Sequence, residues 1–230
     1  MKNLKEYIKE SKSILADFED QVDDFSPIDK FEIKKFIEQH YNCNAPLEIS
    51  DKPNKDGKYE VSTPGNVLVK HYSLKTLVHE LFQWHKIGGD FYCNSCGIKS
   101  LEGAPIEVNG VFYCQWNNIK SLQFSPKIVN GHFNCSNTSI SSLEGAPEKV
   151  GGSFNCGDCE SLVSFKGAPK EVGNHFDCCG SLHIKKMDGL SKRIHGNLYL
   201  SLRNNDEPDE LEKQIRKISK IDGYIDWCLE

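Results

Sequence analysis

Two cysteine pairs, Cys93-x-x-Cys96 and Cys156-x-x-Cys159, carry the spacing with which thiolates hold zinc. His175, Asp177 and Cys179 form a second constellation. Alternate residues share one face of a strand, so a base, a carboxylate and a thiol would stand side by side there. That arrangement is what a hydrolase centred on His175 would need, and it is kept as an alternative. The zinc reading meets an obstacle. Both Cys pairs fall at the same register of a longer repeat, three units apart, or roughly 14 Å at the usual strand spacing. One tetrahedral site cannot span that distance. Cysteine is also a small buried hydrophobe, and this role fits all four positions. No phosphate-loop, dinucleotide or metalloprotease motif occurs. No metal, cofactor or catalytic residue is therefore expected, and the chain is read as non-enzymatic.

The repeat that holds these residues decides the fold. Phe91, Phe112, Phe133, Phe154 and Phe176 are 21, 21, 21 and 22 residues apart, and Leu198 follows 22 later. Cys93, Cys114, Cys135, Cys156 and Cys178 keep the same step, with Leu200 closing the column. Ile98, Ile119, Ile140, Leu162 and Ile184 form another apolar column, and Leu101, Leu122, Leu143, Phe165 and Met187 a further one. Gly-Ala-Pro recurs at Gly103, Gly145 and Gly167. Val108, Val129, Val150, Val172 and Ile194 lead into the next unit.

In Phe-x-Cys the apolar residues alternate, so they face one side of a short strand. The flanking glycines and prolines force turns. Each unit then closes one coil, and stacked coils share a continuous core. The unit length lies in the leucine-rich-repeat range. The expected fold is mainly β: a leucine-rich-repeat-like, right-handed solenoid of short parallel strands, about seven rungs of 21–24 residues, with helical caps. Val67 and Val69 would supply a degenerate first rung. Turns or 3₁₀ pieces are expected on the far side of each coil.

The outward strand positions are the candidate site. One column runs Asp90, Val111, His132, Ser153, His175, Asn197, and the next Tyr92, Tyr113, Asn134, Asn155, Asp177, Tyr199. Solenoids commonly bind partners on this surface, and tyrosine is favoured at interfaces. The predicted binding face is Tyr92, Tyr113, His132, Asn134, Asn155, His175, Asp177 and Tyr199, and its expected partner is a protein.

The ends read as helical. The predicted organisation is an amphipathic helix over 1–22, a helical cap and loop over 23–64, the repeat solenoid over 65–205 and a helical cap over 206–230. Ser26-Pro27 resembles an N-cap followed by a first-turn proline. Leu211, Ile215, Ile218 and Ile221 share a helical face that could cover the last rung.

The chain has 230 residues, a formal net charge of −5 and ten cysteines. Gly89 to Asn205 holds eleven Lys/Arg against ten Asp/Glu, so there is no basic stripe for nucleic acid. No apolar run is long enough for a membrane helix, and the start lacks a secretory core. A reducing cytoplasm is expected, where cysteines pack rather than pair.

The units Gly88-Gly89-Asp90-Phe91-Tyr92-Cys93 and Ser100-Leu101-Glu102-Gly103-Ala104-Pro105 resemble the leucine-rich-repeat-like proteins of large tailed bacteriophages, especially those of gut bacteria. The resemblance covers about residues 45 to 205. It implies the solenoid fold and a phage source more than an activity; with that source, the expected compartment is the host cytoplasm and the expected partner of the strand face a host or phage protein. The fifth unit departs from it at the Gly-Ala-Pro turn. Met1-Lys2-Asn3-Leu4-Lys5-Glu6-Tyr7-Ile8-Lys9-Glu10 is similar to the capsid-targeting peptide of T-even phage internal head proteins. This second resemblance implies cleavage between Glu10 and Ser11, and a packaged protein of the virion interior that is injected with DNA and blunts host defence.

Overall fold

The computed structural model describes residues 26–70, 74–181, 183–184, 187–202 and 207–228. The predicted helix over 1–22 and its targeting segment lie outside these residues. The described residues form a parallel β-solenoid with one helix before it and one near its C-terminal end.

Helix α1 (Ser26–His40) leads into β1 (Tyr41–Cys43), β2 (Glu48–Ile49), β3 (Tyr59–Thr63), β4 (Val67–Val69) and β5 (Phe82–Ile87). Short strands then alternate: β6 (Phe91–Tyr92), β7 (Glu107–Val108), β8 (Phe112–Tyr113), β9 (Ile128–Val129), β10 (Phe133–Asn134) and β11 (Lys149–Val150). They continue as β12 (Phe154–Asn155), β13 (Glu171–Val172), β14 (Phe176–Cys178), β15 (Arg193–Ile194) and β16 (Leu198–Ser201). Helix α2 (Pro208–Ile218), β17 (Lys220–Ile221) and β18 (Ile225–Cys228) complete the described chain.

Two nine-stranded sheets result. The Phe sheet is ordered β1-β4-β6-β8-β10-β12-β14-β16-β18, and the Val sheet β17-β15-β13-β11-β9-β7-β5-β3-β2. All pairs are parallel except β1 with β4 and β2 with β3, which close the N-terminal edges in antiparallel register. The predicted columns are the observed registers: Phe91, Phe112, Phe133, Phe154, Phe176 and Leu198 pair in succession. The Val sheet replaces the turns expected on the far side of each coil. Its strands are mostly two residues long and bury only Val108, Val129, Val150, Val172 or Ile194, too short a stretch for alternation to be visible.

Between the sheets the phenylalanines stack. Ring centroids are 5.6 Å apart for Phe91–Phe112, 5.4 Å for Phe112–Phe133 and 5.3 Å for Phe133–Phe154, each pair nearly parallel. The inward cysteines of the predicted column are fully buried beside them. The third side of each coil is made by turns. At Gly145 the backbone adopts φ +94°, and a Cβ would lie 2.6 Å from the Leu122 backbone of the preceding coil. Glycine therefore allows both the turn and the close stacking.

At the N-terminal end, α1 buries Ile33 and Ile37 in the core that also holds Tyr41 and Trp84, which meet edge-on, so the predicted helical cap is present. At the other end the arrangement differs from a helical roof. Helix α2 links β16 to β17 and buries Ile215, while Ile218 stays exposed. Strands β17 and β18 then add a further rung, with Ile225 opposite Leu198 and Trp227 opposite Leu200. The sheets thus extend beyond the predicted 65–205 span in both directions. Among the described residues no helix is long and apolar enough to cross a membrane.

Candidate binding face

The outer surface of the Phe sheet carries every predicted site residue. Parallel register places Tyr92, Tyr113, Asn134, Asn155, Asp177, Tyr199 and Asp226 in one row. Leu68 extends the row at its start and is exposed.

The row just before it has a structural task. Asn66 Oδ1 accepts the Asp90 N–H at 2.9 Å, and Asp90 Oδ1 accepts the Val111 N–H at 2.8 Å. His132 Nδ1 accepts from Ser153 at 2.8 Å, Ser153 Oγ from His175 at 3.3 Å, and His175 Nδ1 from Asn197 at 2.9 Å. Asn197 Oδ1 accepts from Tyr224 at 3.3 Å. Each side chain thus satisfies a backbone donor of the next coil, as peptide N–H groups require. The two histidines accept through Nδ1, which leaves Nε2 as the ring nitrogen that can donate.

The amide and acid residues of the second row shape turns. Asn134 Oδ1 accepts from the Ser136 N–H, Asn155 Oδ1 from Gly157 and Asp177 Oδ1 from Cys179, each two residues on. These are Asx turns that end the strands. Asn155 also donates to Asp177 Oδ2 at 3.0 Å. Burial pushes the Asp177 carboxyl above its usual range, against the Cys179 N–H bond that favours its charged form.

The tyrosines are less occupied. Tyr92 donates to Asp90 Oδ2 at 2.8 Å, and burial with this bond pushes its phenol up to about 12. Its ring meets Tyr113 edge-on, centroids 5.6 Å apart. Tyr199 accepts from Asn197 and packs edge-on to His175. Tyr224 is exposed beside them.

The residues of the hydrolase alternative are all engaged elsewhere. His175 Nδ1 holds Asn197, Asp177 uses both oxygens, and the Cys179 sulfur is bonded to that of Cys228. Cys93, Cys96, Cys156 and Cys159 are buried. Cys96 and Cys159 share an inward turn position with Asn117, whose amide donates to the Cys93 and Cys114 carbonyls. Among the described residues no three His, Cys, Asp or Glu side chains gather into a metal-binding group.

The two faces of the solenoid differ in charge. Across the two outward rows, from Asp90 to Asp226, the Phe sheet carries no lysine or arginine. The Val sheet is laced with ion pairs: Lys86–Glu107 at 2.6 Å, Lys149–Glu171 at 3.0 Å, Lys170–Glu148 at 2.8 Å and Arg193–Asp222 at 2.9 Å. His195 lies between Glu171 and Asp222.

One flanking residue escaped the sequence reading. Trp116, three residues beyond Tyr113, is 64% exposed at φ +58°. Its column is otherwise Ser95, Asn137, Asp158 and Gly180, so a tryptophan among turn-forming residues was the available signal. No family model, curated protein or solved structure matches the chain.

Proposed function

We propose that the chain is a non-catalytic, phage-encoded repeat module that engages a host or phage protein through the outer face of its Phe sheet. The contrast between the two faces carries this reading. Lysine is depleted and tyrosine enriched at protein interfaces, where an aromatic ring contributes area at low entropic cost. The Phe sheet has that composition, while the opposite sheet has the interleaved charges of a solvated surface. Leu68, Tyr92 and Tyr113 follow one another in register along its first rungs, and Trp116 is exposed three residues beyond Tyr113.

The test separates recognition from folding. Asn134, Asn155 and Asp177 build turns, so changing them would disturb the coil. Tyr113→Asn instead installs the residue found at the same register in the next two rungs. A tagged chain is used to capture partners from host and infected-cell lysates, beside Tyr113→Asn and a Val-sheet control, Lys149→Ser. The expected result is a protein retained by the wild type and the control, and lost with Tyr113→Asn at unchanged melting temperature. Equal capture by all three would remove the Phe sheet as the binding surface.

A further inference from the structure

We propose that Cys179 and Cys228 form a reversible dithiol–disulfide switch that clamps the last coil of the solenoid to its body. This clamp acts on the stability of the last coil, independently of any partner on the Phe sheet.

The bond has an unusual place. Cys179 follows β14, and Cys228 ends β18, with β16 lying between these strands. Their Cα atoms are 5.8 Å apart, within the range a disulfide spans. Ser201 of β16 is in register with Cys228, and its Oγ accepts the Gly180 N–H at 2.8 Å. The link therefore crosses the point where the chain leaves β16 for α2. It ties coils that are not neighbours and holds the intervening one beneath.

The other cysteines do not compete. The thiolate is the species that exchanges, so a thiol held protonated by burial is inert. Cys93, Cys135, Cys156 and Cys178 are fully buried, and burial pushes their thiols well above the ordinary value. Cys96 and the half-buried Cys43 are pushed up to about 11. Cys114 and Cys159 are shifted the same way by the same cause. Cys179 and Cys228 are both partly exposed, where a dissolved thiol or disulfide can reach them.

The oxidant is a small-molecule disulfide of the glutathione class. One protein thiolate attacks a glutathione sulfur, breaks the S–S bond and releases one glutathione thiolate. The second protein thiolate then attacks the mixed disulfide, forms the Cys179–Cys228 bond and releases the other. Two electrons pass from protein to oxidant, and the two protons end on glutathione. Excess glutathione reverses both steps.

With the bond open, the last coil is held by the β16–β18 and β15–β17 ladders and by burial of Ile215, Ile221 and Ile225. Local opening then exposes Leu198 and Leu200, which the oxidised form keeps covered.

The full-length protein is equilibrated in glutathione buffers of graded ratio, alkylated under native conditions and mapped by mass. Parallel samples receive brief trypsin treatment. We expect oxidising buffer to protect Cys179 and Cys228 alone from alkylation, and reducing buffer to expose both. Cleavage after Lys213, Arg216 or Lys217 should be at least about tenfold faster in the reduced form, and Cys228→Ser should match that rate in either buffer. Alkylation of both residues in oxidising buffer, pairing of either with another cysteine, or persistence of the bond in reduced glutathione would overturn the switch. Equal cleavage rates would overturn the clamp.

Discussion

Trp116 holds a left-handed backbone conformation, φ +58°, that costs a large L-residue about 1–2 kcal/mol. Phe124 does the same at φ +67°, in the column where the other coils place Gly103, Gly145, Gly167 and Gly189. Burial does not offset either cost, because the two are 64% and 60% exposed. The next coil shows a relaxed solution at the tryptophan position, since Asn137 adopts φ +53° and asparagine tolerates this region. Trp116→Asn should therefore raise unfolding free energy by about 0.5–1 kcal/mol, read as a higher urea midpoint at unchanged slope. A lower midpoint would mean that the indole packs on its neighbours. Such residue-scale features were only partly legible. The row Asn66, Asp90, Val111, His132, Ser153, His175, Asn197 carries, at every member but Val111, an acceptor close to the Cβ. The donors that it serves belong to the following coil, so its purpose emerges only once the coils are stacked.

At the scale of elements, legibility followed strand length and spacing. The Phe-x-Cys strands could be read because two apolar residues alternate and recur every 21 or 22 residues. The Val sheet could not, because each of its two-residue strands from β7 to β17 buries one residue. The last rung was hidden because α2 lengthens the step from Leu198 to Ile225. The N-terminal cap shows what an element adds beyond pattern. There His79 lies between Phe36 and Phe82, ring centroids 4.1 and 4.8 Å away, and its Nδ1 accepts the Leu81 N–H. Burial, helped by the nearby positive charges of Lys58 and His40, lowers its pKa to about 4. The unfolded chain then binds a proton that the folded chain refuses. Stability should fall as pH drops from about 6.5 to about 4 and lose no more from this group below that. With solvent screening, the loss from this group is about 1–2 kcal/mol. Chemical denaturation across this range should show a shallower decline for His79→Gln than for wild type. Identical slopes would exclude His79 as the source.

For the whole molecule, the decisive property is that successive coils are interchangeable. Phe112, Phe133 and Phe154 occupy one register, their rings stack at almost equal spacing, and Gly110, Gly131 and Gly152 open the coils alike. Stability in such a fold is close to a sum of coil and nearest-neighbour terms, with the ends contributing separately. The antiparallel β1 and β2 and the buried Ile33 and Ile37 close one end, while α2, β17 and β18 close the other. Excision of residues 131–151 removes one complete coil and joins Asn130 to Gly152, the same Asn-to-Gly step as before. Phe112 should then stack on Phe154, and the shortened chain should unfold in one cooperative transition with a smaller denaturant slope, reflecting less buried surface. Excision of residues 131–141 removes about half a coil and brings a third-side segment against a strand. Its inward residues no longer meet, so it should lack a cooperative transition. If both deletions unfold alike, the coils are not independent units. The fold would then rest on a contact that spans them, and the caps rather than the repeat would carry its specificity.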